Sequence, residues 1–269
     1  HYISLWTVRD HSIESPEQDR SMTKRKFSEV GMVCHRGANR VAPENTLAAG
    51  KPCIDWGARY IEVDVRTSKD GVFYILHDPT VDRTTTGSGR LRDLYSEEID
   101  QLDAGSWFAP QFTGEPLPRL ETYLQWIRGK AGVFFDVKDA DLSTLIEMTH
   151  RIGIEEDSFF WFDNESDAMK FRSLSPNLAM KINATTVQDI ERAIADYNAQ
   201  IIEINLDCLS PEIVSACHSR EVALMALVTE NDPVAFRRVI EERLDLINLD
   251  FPDVFRSLQQ SLGKETGDL

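Results

Sequence analysis

Several short, strand-like runs in the first half of the chain end in ionisable groups. The first ends in Cys34-His35-Arg36-Gly37, and the second carries Glu62 and Asp64. The run VFYIL ends in His77-Asp78, and a later run carries Asp136 and Lys138. Residues i and i+2 of a strand point to one side, so Glu62 and Asp64 present their carboxylates together from the otherwise apolar RYIEVDV. Like charges in a shielded place repel, and one must protonate unless a cation lies between them. Asp136, on an adjacent strand, adds a third oxygen donor. Three carboxylates with no Cys, and no His at ligand spacing on the same strand, suit one hard divalent cation. That cation is Mg²⁺ or Ca²⁺, with Mn²⁺ also admitted, rather than zinc. A structural ion network pairing these acids with Arg36, Arg66 or Lys138 fits the spacing equally well.

His35 and His77 both stand where a strand becomes a loop. An imidazole titrates near neutrality, so a pair flanking a metal could take a proton from a nucleophile and give one to a leaving oxygen. A lone strand-end histidine is more often structural; two beside three acids favour chemistry. Arg36 offers a planar fork matched to phosphate oxygens and Lys138 a point charge beside the ion. His150 and His218 fall near helix C-termini, where positive charge is favourable for structural reasons. For Lys181, at the end of the fifth strand, a solvated side chain is favoured over an anion contact. Trp107, Phe108 and Phe112 either line the mouth of a pocket or form a small core of their own. The chain has no P-loop, GxSxG, HExxH or paired CxxC sites.

The elements that must position these groups alternate. Eight runs, VGMVCH, RYIEVDV, VFFDVK, SFFWFD, LAMKIN, AQIIEIN, EVALMAL and LDLINLD, have the length and β-branched or aromatic content of buried parallel strands. Between most of them lie helical spacings with start signals at Asp141, Asn164, Thr186 and Ser210-Pro211. Eight βα units in about 235 residues predict an α/β fold, a (β/α)8 TIM barrel. The doubly wound alternative lacks its Gly-rich nucleotide turn. The barrel is expected over residues 30–262, with an insertion after the second strand region, about residues 79–118, at the mouth of the site. Residues 1–29, polar and dense in both charge signs, read as an N-terminal extension, and 263–269 as a C-terminal tail.

The 269 residues are 42% hydrophobic and 28% charged, an ordinary globular balance. A net charge of −16 is the wrong sign for tracking nucleic acid, so an anionic small substrate needs a local positive pocket. No run approaches the roughly 18 apolar residues of a transmembrane helix. Cys34, Cys53, Cys208 and Cys217 form no framework and read as free thiols in a reducing compartment. Cytoplasm is the expected location, although a chain beginning at His1 leaves room for a removed signal peptide. A homo-oligomer is left open.

The stretches HRGANRVAPENT, GARYIEVDVRTSKDGVFYILHD, RTTTGSG, DAGSWFAPQFTGEPLPRLETYL, FFDVK and DLINLDFPD, from Val30 to about Phe255, resemble the glycerophosphodiester phosphodiesterase family. The resemblance implies a TIM barrel that uses a divalent cation to hydrolyse glycerophosphodiesters to sn-glycerol 3-phosphate and an alcohol. Glu62 and Asp64 match the metal-binding pair, and His35 and His77 the acid–base histidines. Arg36 matches the phosphate-contacting arginine, and Lys138 the lysine on the strand of the last metal ligand. Glu44 matches a site-proximal acid. Three positions depart from the pattern. Asp136 stands where glutamate is usual, which sets its carboxylate about 1.5 Å further from the ion. Val228 replaces a tryptophan, and Trp161-Phe162 replaces a Ser-Phe pair; both are expected to line the pocket. The expected roles are His35 as base and His77 as acid. Two alternatives are a phospholipase D-like enzyme forming a cyclic phosphate and a barrel that only binds phosphodiesters.

Overall fold

The computed structural model describes residues 29–267, so all but one residue of the expected N-terminal extension lies outside the described residues. Each of the eight expected runs is a strand: β1 (Gly31–Cys34), β2 (Tyr60–Thr67), β4 (Gly132–Val137), β5 (Ser158–Phe162), β6 (Ala179–Asn183), β7 (Ile201–Ile204), β8 (Ala223–Val228) and β9 (Leu246–Leu249). All eight pair in parallel, and β1 bonds to both β9 and β2, which closes the sheet into a (β/α)8 TIM barrel. The VFYIL run becomes β3 (Phe73–Ile75), a short strand antiparallel to the end of β2 and outside the closed ring.

Alternation divides the strand side chains between two cores. Val33, Tyr60, Phe134, Phe159, Ala179, Ile201, Met225 and Leu246, one from each barrel strand, pack together inside the barrel. The intervening residues face outward against the helices, for example Ile61, Val63, Phe135 and Phe160 on one side and Ile202, Leu224 and Ile247 on the other. With both faces buried, the strands read as continuous apolar runs.

The helices begin where their capping residues require. Asp141, Asn164, Thr186 and Ser210 each accept a hydrogen bond from a backbone N–H of the first turn of α4 (Leu142–Ile152), α5 (Glu165–Leu174), α6 (Val187–Tyr197) and α7 (Pro211–His218). The last helix, α9 (Pro252–Gly267), continues past the boundary expected at residue 262. Nothing in LQQSLGKET stops it, because a single interior glycine, Gly263, costs only about 1 kcal/mol.

The insertion folds over a satellite core of Tyr74, Leu76, Val81, Leu91, Ile99, Ala104 and Leu117. Trp107, Phe108 and Phe112 form their own edge-to-face chain, with ring centroids 5.6 Å apart at each step. Cys34, Cys53 and Cys217 are buried free thiols, and Cys208 is free and half-buried. Among the described residues no helix is long and apolar enough to cross a membrane.

Candidate active site

The acids, histidines and cations of the early strands meet at the carboxyl end of the barrel. Glu62 and Asp64 on β2 are buried at 2% and 0% exposure. Asp136 on β4 lies directly opposite Asp64 in the parallel register, and each of the three offers an oxygen within 4.8 Å of the others. Burial, with the Asp64 charge second, pushes the Glu62 carboxyl up to about 8. Asp136 is raised by the same causes in the same order, against the opposing pull of Lys138. One buried oxygen each of Asp64 and Asp136 accepts no hydrogen bond. Hard, crowded and partly unsatisfied, this donor set fits a divalent cation.

The ion-network reading is also realised in part. Lys138 Nζ lies 2.7 Å from Asp136 Oδ2 and 3.4 Å from Asp64 Oδ1, and Arg36 Nε is 3.6 Å from Asp64 Oδ2. Arg66 stays apart from it and donates twice to the His77 carbonyl, at 2.9 and 2.6 Å. The two readings coexist because each bridging cation reaches only some of the carboxylate oxygens.

His35 follows β1, with Nδ1 2.7 Å from Asp250 Oδ1 at the end of β9. Burial alone would raise Asp250 and lower His35. The contact between the two reverses both, with the Glu62 charge also lifting His35. An ionised carboxylate can only accept, so the ring proton of this contact sits on Nδ1. His77, after β3, is held in the same way by Asp78, Nδ1 to Oδ1 at 2.9 Å. Asp78 is itself depressed, first by a hydrogen bond from Arg83, which joins it to Glu44.

The turn between β1 and α1 (Leu47–Asp55) carries these groups on an unusual backbone. Arg36, at φ +56°, aims its N–H at Glu62 Oε2, 2.5 Å away, and its guanidinium at Glu44. Gly37 follows at φ +79°, where a Cβ would approach Ala49 Cβ to 2.9 Å. Asn45, at φ +60°, donates to Asp64 Oδ2 at 2.8 Å.

Asp250, Asn39, Asn45 and Arg83 escaped the sequence reading. Their signals were present: an acid at a strand end for Asp250, and positions inside HRGANRVAPENT and RTTTGSG for the others. Three expectations need correction. Lys181 is not solvated: it is 3% exposed, bonded to Glu203 Oε1 at 2.8 Å, and packed 4.5 Å above the Trp161 ring. Its strand position points it into the barrel, where only a partner makes a charge tolerable. Val228 does not line the pocket, because alternation turns it into the outer core and leaves Leu227, 43% exposed, on the side of Met225. For the same reason Trp161 faces inward while Phe162 packs outside. His150 and His218 stand in the last turns of α4 and α7, away from these groups.

Comparison with known proteins gives the family. A family model described as the glycerophosphoryl diester phosphodiesterase family matches residues 35–172. A glycerophosphodiester phosphodiesterase from Caldanaerobacter subterraneus subsp. tengcongensis is 30% identical over 243 residues, 86% of this chain and 98% of that one. The solved structure of a glycerophosphodiester phosphodiesterase from Agrobacterium tumefaciens has a TM-score of 0.81 at 38% identity, over 85% of this chain and 99% of that one. A phosphodiesterase from Oleispira antarctica, solved with the product sn-glycerol-3-phosphate, shares the fold at a TM-score of 0.75 and 24% identity, over 86% and 96% of the two chains. Some matches are partial: one Bacillus subtilis relative aligns over 58% of its own length, at 38% identity and over 53% of this chain. The chain therefore belongs to the glycerophosphoryl diester phosphodiesterase family and is a phosphoric diester hydrolase.

Proposed function

We propose that this enzyme hydrolyses glycerophosphodiesters to sn-glycerol 3-phosphate and a free alcohol, with Glu62, Asp64 and Asp136 holding one divalent cation and His35 and His77 exchanging the protons. The convergence of two buried carboxylates and a half-buried third beside a carboxylate-oriented imidazole carries the reading. The product bound to the Oleispira antarctica fold relative supports the same assignment. When bound, Mg²⁺, Ca²⁺ or Mn²⁺ would neutralise charge on the phosphate.

The chain's own groups do the rest. His35 Nε2 takes a proton from the attacking water as its oxygen bonds to phosphorus, and Asp250 stabilises the imidazolium that forms. His77 Nε2 gives a proton to the alcohol oxygen as its bond to phosphorus breaks. Arg36 and Lys138 stabilise charge building on the non-bridging oxygens. Arg66 fixes the His77 backbone, and the Glu44–Arg83–Asp78 chain fixes its ring.

The test is turnover of glycerophosphocholine by the wild type and by His77→Ala in ¹⁸O-water, followed by phosphorus NMR. The reading expects labelled glycerol 3-phosphate from the wild type and a loss of about 10²–10⁴-fold in the variant. Full turnover by the variant would remove the acid role of His77. A cyclic phosphate product would replace hydrolysis with the phospholipase D-like reaction, and binding without turnover would leave only a phosphodiester-binding barrel.

A further inference from the structure

Beside the catalytic groups lies a cavity of about 310 Å³ whose lining includes Arg66, Arg90, Arg92, Lys138, Pro79 and the single carboxylate Asp139. Four cations around one cavity are conspicuous in a chain of net charge −16. Two of them already have work. Lys138 bonds to Asp136, and Arg66 holds the His77 carbonyl. Arg90 and Arg92 are exposed and have no ion-pair partner among the described residues.

Solvated arginines usually mean nothing, but these two leave from a fixed backbone. Leu91 between them is 1% exposed in the satellite core. Its N–H donates to the Pro79 carbonyl at 3.1 Å, and Arg90 forms an antiparallel bridge with Thr80. Thr80 and Pro79 in turn follow His77-Asp78 directly, so the arginine turn is tied to the segment that carries the proposed acid. Lys138 belongs to both places: one side chain reaches the carboxylate cluster and also lines the cavity. A group in the cavity therefore lies beside the proposed cation site, through Lys138, and next to the segment that carries His77. At about 30 Å³ per water the space holds about ten waters, enough for a phosphorylated three-carbon alcohol.

We propose that this cavity is a subsite for a second anionic group, a phosphate monoester carried on the alcohol half of the diester, with Arg90 and Arg92 as its specificity-determining contacts. The assignment rests on the hydrolase reading above and names the substrate class it favours. Guanidinium forks match phosphate oxygens in pairs, and a charge-assisted contact at an exposed site changes affinity by about three- to fivefold. Two such contacts give about tenfold.

The probes are glycerophosphoglycerol and the same compound bearing a terminal phosphate monoester, assayed with wild type and Arg90→Gln/Arg92→Gln. Neither arginine belongs to the catalytic machinery, and an unchanged thermal midpoint checks the fold. The expected result is a loss of about tenfold in kcat/KM for the phosphorylated diester, mostly in KM, with glycerophosphoglycerol changed less than about twofold. Equal losses on both substrates, or no loss on either, overturn the subsite. Inorganic phosphate as an inhibitor separates a free anion from one carried by the substrate. If the variant escapes phosphate inhibition yet handles both diesters as the wild type does, the substrate assignment is wrong. If the wild type turns over neither diester, the hydrolase reading fails first; if it turns over both without the expected contrast, only this inference fails.

Discussion

Removing the Lys181 ammonium leaves Glu203 as an unpaired acid inside the barrel. The pair is 2.8 Å apart with side chains only 3% and 10% exposed, and Glu203 Oε2 already has no hydrogen-bond partner. Breaking one partner of such a pair costs about 3–5 kcal/mol. Lys181→Met should therefore lower the thermal midpoint by roughly 6–20 °C, at about 2–4 °C per kcal/mol for a chain this size. Lys181→Met/Glu203→Gln should recover most of the loss, since a neutral pair is left. Circular dichroism melts of the three proteins make the comparison. A deficit under about 1 kcal/mol in the single variant, or no recovery in the double variant, refutes the reasoning.

Other expectations are as direct. Mg²⁺, Ca²⁺ or Mn²⁺ at about a hundred times its dissociation constant should stabilise the fold by about 2.7 kcal/mol, and Glu62→Gln should weaken or abolish the shift; a wild-type melt that ignores all three ions sinks the proposed cation site. Asp250→Asn should leave the melt nearly unchanged but cut kcat by about 10²–10⁴-fold, because the His35 ring loses the carboxylate that sets its tautomer; steady-state assay decides. Asp103, held down to about 2 by the N–H groups of Gly114, Ser106 and Gly105, ties the insertion together from the surface. Its contribution is present above the unfolded value near 3.9 and fades as pH falls toward 2. Asp103→Asn should lower the melt near pH 6 and flatten its dependence between pH 4 and 2, and a parallel acid titration of the two proteins checks it.

The chain of 269 residues declares its barrel because local rules suffice there. Buried parallel strands demand continuous apolar runs, and helices need an oxygen at their start, so the eight strands and the caps at Asp141, Asn164, Thr186 and Ser210 were legible by period and spacing. The carboxylates at Glu62 and Asp64 were legible for the same reason, since two acids in an apolar strand must share a face. What joins distant segments was not. Asp250 meets His35 across 215 residues, because closing the barrel brings β9 beside β1. Lys181 finds Glu203 only because β6 and β7 are neighbouring staves, and without that partner a solvated lysine was the better reading. Pairing across a closed sheet depends on register, a property of the assembled ring that no single segment encodes.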